Sequence, residues 1–165
     1  MSKRTRPDSG HDHNRCIDEA LDAAAEICAR RGARLTPLRR RVLELVWAGH
    51  RAVKAYELLA RLGDGAMPPT IYRALDFLVG QGLVHRLESL NAYIGCPRPR
   101  AAHEGQFLIC EGCGIVDEID APELAAEVCR RAGAKGFAPS RQTLEVHGYC
   151  GQCRASGSLA GNELC

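Results

Sequence analysis

With 165 residues, nine cysteines, eight aromatic side chains and a formal charge of +2, the chain is sized for one ordinary domain or two small ones. No window approaches the ~18 apolar residues of a membrane span, and the polar first 14 residues lack the apolar core of a secretory signal, so a cytoplasmic protein with no membrane partner is expected. The small net charge hides segregation: residues 1–100 hold 17 basic and 11 acidic side chains, and residues 101–165 hold 5 and 9, which predicts two domains with different partners.

Residues 1–13 read as a solvated tail. It carries His11 and His13, a pair that would bind metal weakly without a third ligand. Helical spacing of Ile17, Leu21, Ala24, Ala25 and Cys28 predicts a first helix over 14–31, stopped by Gly32. A second starts at Thr36 and Pro37, a hydroxyl N-cap followed by a proline that loses no needed hydrogen bond. Leu38, Val42, Leu45 and Val46 form its apolar stripe, and Gly49 ends it. A third covers 54–62, with Tyr56, Leu58, Leu59 and Leu62 before Gly63. A fourth covers 69–79, with Ile71, Leu75 and Leu78 inward and Gly80 and Gly82 as stops.

Residues 83–87 and 92–95 then read as two short strands around a turn at 89–91. Helices followed by a hairpin is the order of a winged helix-turn-helix, which places one helix in the DNA major groove. Pro97 and Pro99 mark a linker, 96–105. Beyond it come strands at 106–109 and 114–119, a helix over 122–134 with Leu124 and Val128 on its apolar side, and an extended run over 137–147. About fifty residues of this kind are too few to bury a strong core alone, so a metal or an oligomer partner is expected.

Two Cys-x-x-Cys pairs carry the strongest chemical signal: Cys110 with Cys113, and Cys150 with Cys153. In a reducing compartment such pairs point to metal. Four thiolates suit zinc in a closed tetrahedral structural site. Gly112, Gly114, Gly148 and Gly151 fit the tight turns of metal knuckles. The rival is a thioredoxin-like redox pair, which follows a strand and opens a helix; here the first pair leads into a strand. His85, Cys96, His103 and Glu118 are further donors, spread over both halves. One thiolate, two imidazoles and one carboxylate make a sound zinc set. Taken singly, they also read as surface histidines, a small buried thiol and a solvated carboxylate.

Thr70, Tyr72 and Arg73 lie at the exposed start of the fourth helix, where a recognition helix meets base edges. Arg34, Lys54 and the run Arg39 to Arg41 suit phosphates, or equally a solvated helix face.

Together these segments resemble the ferric uptake regulator family of bacterial metal-dependent repressors, in particular its zinc uptake regulator branch. The matching stretches are RLTPLR at 34–39, AYELL at 55–59, PPTIYRAL at 68–75, LVH at 83–85, CEGC at 110–113, EVHG at 145–148 and CGQC at 150–153. They occur in family order within 15–154. The resemblance implies an α+β fold: an N-terminal winged-helix DNA-binding domain over 14–95, a hinge at 96–105, a small C-terminal α/β dimerisation and metal-binding domain over 106–155, and a tail over 156–165. It implies two zinc ions per subunit. Structural zinc falls to Cys110, Cys113, Cys150 and Cys153, and regulatory zinc to His85, Cys96, His103 and Glu118. Tyr56, Tyr72 and Arg73 match residues at the DNA face. A zinc-loaded homodimer would bind a double-stranded, pseudo-palindromic operator and repress zinc uptake genes; some relatives also activate efflux genes.

Departures from the family pattern sharpen this reading. Iron regulators usually carry a histidine-dense stretch before the first cysteine pair. Here residues 101–106 hold one histidine, and the soft thiolate Cys96 favours zinc over iron(II) or manganese. Lys54 stands where relatives often have a small capping hydroxyl. His147 reads as structural, and Cys28 and Cys129 as packing residues; Cys16 and Cys165 receive no role. The alternatives within the family are iron, manganese or peroxide sensing. Outside it stand a cysteine redox switch and a zinc hydrolase. The hydrolase needs an open zinc position, and the base-deaminase signature is absent, so neither catalysis nor a small-molecule substrate is expected.

Overall fold

Thr36 and Pro37 begin the second helix as their chemistry dictates. The Thr36 hydroxyl accepts a 3.4 Å hydrogen bond from the Arg39 N–H, and Pro37 takes the first helical position. This is a computed structural model, which describes residues 13–49, 51–63, 67–100 and 105–156. The chain divides into two units, Arg6–Ala102 and one built on His103–Cys165.

The first unit holds α1 (His13–Arg30), α2 (Pro37–Trp47), α3 (Ala55–Leu62), α4 (Pro68–Gly80), β1 (Val84–Leu87) and β2 (Ala92–Gly95). Gly32 stops α1 in a left-handed turn at φ 63°. Ala25 is exposed, against the expected stripe; the buried arc of α1 extends instead towards Ala23 and Ile27. At α3, Lys54 is the N-cap and has no acceptor to offer. Glu57 compensates, its carboxylate accepting a 2.8 Å hydrogen bond from the Lys54 N–H. At α4, Pro68 and Pro69 fill the first two positions and remove two amide donors, while the Thr70 N–H bonds the Met67 carbonyl at 2.9 Å.

The wing is antiparallel, with Val84 opposite Gly95 and His85 opposite Ile94. Val53 and Tyr93 exchange two 2.8 Å backbone hydrogen bonds at its other edge. Leu21 and Ile27 of α1, Val42 and Val46 of α2, Leu58 of α3, Leu75 and Leu78 of α4 and Val84 of β1 share one core. Each such burial contributes roughly 1.5–3 kcal/mol.

The second unit is a three-stranded sheet of order β4–β3–β5, followed by a short helix. β3 (Gly105–Cys110) is central, antiparallel to β4 (Val116–Glu118) and parallel to β5 (Thr143–Gly148). A parallel pair needs a crossover, and α5 (Pro122–Gly133) supplies it. Phe107, Ile109 and Val116 are buried. α5 buries nothing: Leu124 and Val128, its expected apolar side, are 41% and 48% exposed.

Three sequence expectations change here. The extended run over 137–147 is strand only from Thr143, because Thr143 pairs with Gly105, the first residue of β3. The strand expected over 114–119 is β4 alone, since Ile115 is used to close the turn before it. A short helix, α6 (Gly151–Ala155), was not expected at all. No helix among the described residues is long and apolar enough to cross a membrane.

Candidate metal centre and nucleic-acid face

The end of β3 delivers Cys110, and the following turn delivers Cys113. The Cys110 N–H bonds the Ile115 carbonyl at 2.9 Å, and the Gly114 N–H bonds the Cys110 carbonyl at 2.9 Å. Gly114 permits this with φ 71°. The end of β5 delivers Cys150 as the N-cap of α6, and α6 carries Cys153. Because β5 lies parallel to β3, both pairs leave the same end of the sheet. The Glu111 N–H to Gly148 carbonyl bond, 2.8 Å, fastens the two exits together.

The four sulfurs all lie within 4.8 Å of one another. Cys113 Sγ and Cys150 Sγ are 3.7 Å apart. A tetrahedral zinc with ~2.3 Å bonds spaces its sulfurs by ~3.8 Å, so the set fits that ion. The Cys150 N–H donates to Cys110 Sγ at 3.3 Å. At Gly112 an added Cβ would stand 2.8 Å from Cys153 Sγ, so only glycine lets this turn close over the sulfur. Gly148 and Gly151, by contrast, have open space and no left-handed backbone, so of the four glycines expected to serve tight knuckle turns only Gly112 and Gly114 meet a structural demand.

The thiols are electrostatically unequal. Burial raises Cys110, but hydrogen bonds from the backbones of Cys150, Cys113 and Gly112 and from the Cys113 thiol outweigh it and hold it at about 6. Cys153 is pushed up to about 12, first by its hydrogen bond with Cys150 and then by burial. Cys113 is also raised. Four thiolates cannot gather here without a cation to offset their charge, which is what a structural zinc site requires.

The second pair does follow a strand and open a helix, the arrangement expected of a redox pair. Sequence reading missed this because α6 is one short turn without apolar periodicity. What sets the site apart is the first pair, whose sulfurs complete the cluster.

His85 sits in β1 and Cys96 follows β2, its N–H bonding the Leu83 carbonyl at 3.0 Å. Opposite residues of an antiparallel pair share a face, so Cys96, opposite Leu83, is on the face of His85. Their ligand atoms lie within 4.8 Å. Cys96 is buried and His85 half-buried. Glu118, half-buried, ends β4 opposite Phe107. His103 lies outside the described residues.

All six expected DNA contacts are exposed and belong to the first unit. Thr70, Tyr72 and Arg73 occupy the first turns of α4; Lys54 and Tyr56 start α3; Arg34 precedes α2. Tyr56 is 65% and Tyr72 49% exposed, high for aromatic side chains. Arg39 is committed internally. Its guanidinium bonds the Arg34 carbonyl at 2.6 Å and stacks 3.5 Å above the Phe77 ring. Arg40 and Arg41 pair with Glu44, so the basic run is largely a helix-face network.

Residues 30–147 match the model of the ferric uptake regulator family. The chain is 42% identical over 140 residues, 82% of its own length and 81% of the relative, to the zinc uptake regulation protein of Escherichia coli (strain K12). Its fold is similar to a zinc uptake regulator complexed with zinc and DNA, at a TM-score of 0.82 and 39% identity, covering 87% of this chain and 98% of that one. It is also similar to holo XcZur, at a TM-score of 0.79 and 45% identity, covering 84% and 99%. The expected α+β fold, with a helical front half and a sheet-based back half carrying a four-cysteine cluster, holds.

Proposed function

The chain belongs to the ferric uptake regulator family, and on that premise we propose that it is a zinc-responsive transcriptional repressor, a cytoplasmic homodimer that binds a pseudo-palindromic operator and shuts off zinc uptake genes. The observation that carries this reading is the 42% identity to a zinc uptake regulation protein along most of both chains. The relative whose structure holds zinc and DNA together supports it.

The reading assigns the DNA-binding domain to 14–95, the hinge to 96–105 and the dimerisation and metal-binding domain to 106–155. Zinc, two ions per subunit, supplies a charge-neutralising cross-link where it is bound. Cys110, Cys113, Cys150 and Cys153 would hold the permanent one, a set of four thiolates suited to a structural rather than a catalytic ion. His85, Cys96, His103 and Glu118 hold the regulatory one. Cys96 selects the soft ion. These four come from the wing, the hinge and the sheet, so gathering them restrains the hinge.

Restraint of the hinge sets the two α4 helices of a dimer at about one DNA turn, ~34 Å. Arg73 is suited to guanine edges, and Tyr72 and Thr70 to neighbouring base or methyl groups. Lys54, Arg34 and Tyr56 serve the backbone. The exposed apolar residues Leu108, Val146, Leu124 and Val128 support a second copy as the partner of the sheet domain. By linkage, operator DNA tightens regulatory zinc as much as that zinc tightens DNA.

The test is operator binding by the Cys96→Ser variant across a buffered zinc titration. The reading expects the zinc dependence to move to much higher free zinc with structural zinc retained. Unchanged dependence removes Cys96 from the mechanism, and a response to iron(II) alone replaces zinc sensing with iron sensing.

A further inference from the structure

Trp47 is the sole tryptophan of the chain, and no function assigned above uses it. It is the last residue of α2. Its indole packs closely against Gly95: a Cβ added there would stand 2.8 Å from Cζ2 and still closer to Cε2 and Nε1. Among the described residues the buried Nε1 atom has no hydrogen-bond partner, although buried indole N–H groups usually find one. Packing against the core and Gly95 is what positions the ring.

The hairpin register gives this contact its meaning. Successive strand residues point to opposite faces. Val84 and Gly95 are opposite one another and face the first-unit core, where Trp47 and Val84 both pack. His85 and Cys96 occupy the other face. Gly95 is thus the residue immediately before Cys96, pinned from behind by the indole. Alongside, the Cys96 N–H to Leu83 carbonyl bond ties the same stretch of backbone to β1. The indole on one face and the ladder bond in the plane of the hairpin leave little freedom in where the Cys96 sulfur points.

We propose that Trp47 is a positioning residue for the zinc-ligand pair His85 and Cys96, and that it links this pair mechanically to α2. The inference rests on Cys96 being a zinc ligand. The indole sets the height of the wing's last residue above α2. Any shift of Cys96 on metal capture is passed through Gly95 to the ring and so to the helix.

The test uses the full-length protein with its structural zinc in place. Zinc affinity of the second site is measured by competition with a chelator. Cobalt(II) replaces zinc at that site so that the thiolate-to-cobalt absorption band reports the Cys96 bond. Trp47→Ala should weaken the second site roughly 10–100-fold, as removal of a ligand's support does elsewhere, and should lower the cobalt band. Trp47→Phe, which keeps a flat ring, should retain most of the affinity. Gly95→Ala should weaken the site by collision, and adding Trp47→Ala to it should restore part of the loss. In the unmodified protein, Trp47 emission should change only with the second zinc equivalent.

Independent effects of the two substitutions, with no restoration, overturn the proposal. So does an unchanged affinity and cobalt band in Trp47→Ala. The Cys96→Ser variant separates the two levels. If it loses the second site while Trp47→Ala keeps it, the positioning role fails and the zinc reading stands. If Cys96→Ser keeps the site, both fail.

Discussion

The two units are stabilised by different means. In the first, α1 to α4 and the wing bury Leu, Ile and Val side chains in one continuous core. In the second, burial is confined to β3 and Val116, while α5 buries nothing and leaves Leu124 and Val128 exposed. The first unit holds α4 by apolar burial through Ile71, Leu75 and Leu78. The second lacks that resource, and on the proposed reading four sulfurs joined by one ion, together with a second copy over the exposed apolar residues, replace it. On the proposed reading the division suits a sensor, because the ion that holds the second unit is separate from the apolar core that holds the first.

The largest expected effect breaks the second unit. Structural zinc sites contribute on the order of 10 kcal/mol in small metallo-domains at neutral pH. Cys113→Ser should therefore abolish tight zinc at that site and the cooperative unfolding of the second unit. Helical circular dichroism from the first unit should persist. Equal loss of both units would mean that the first depends on the metal too. Next comes the core of the first unit. Leu78 is fully buried, and Leu78→Ala should cost about 2–5 kcal/mol, read as a lower urea midpoint. Zinc per subunit should stay unchanged.

A smaller effect separates binding from stability. Arg73→Ala should cost about 1–3 kcal/mol in operator affinity. Arg73 is exposed, so the thermal midpoint should not move; a fall in both would make Arg73 a structural residue. The smallest effect is on pH. Cys110 is held at about 6, whereas Cys113 is raised and Cys153 stands at about 12. At pH 7 zinc capture should therefore displace protons from Cys113 and Cys153, with Cys110 mostly ionised already. Structural-site affinity then rises with pH through neutrality and falls in acid. Calorimetry in buffers of different ionisation heat reads this directly, and zinc uptake without proton release contradicts it.

How much of this was legible in the sequence follows the same division. Helical periodicity with Gly32 and Gly63 as stops located α1 to α3 closely, because apolar burial leaves a regular imprint. The wing was legible from its turn, where Asn91 adopts φ 45°. The second unit was read less well. β5 begins where β3 begins, a matter of register between segments far apart in sequence that no local pattern encodes. α6 is a single turn whose chief feature is Cys153. α5 showed an apolar side, but periodicity cannot say whether that side is covered by its own chain.

The four-cysteine cluster is legible from two short spacings. The other donors were not, since 85, 96, 103 and 118 share no repeat; the family resemblance raised them. The hairpin register accounts physically for His85 and Cys96. Trp47 left no signal beyond being a lone aromatic at a helix end. Its role depends on Gly95, 48 positions later.

On the proposed reading the two zinc ions divide the labour: one holds the sheet domain, and a second licenses DNA binding. The most direct measurement is fluorescence anisotropy of labelled operator DNA, taken from upstream of a zinc transporter gene, across buffered free zinc. Zinc per subunit is counted at each point. Specific binding should be absent at one zinc per subunit and should become tight as the second is taken up. Full operator binding at one zinc per subunit would contradict that division.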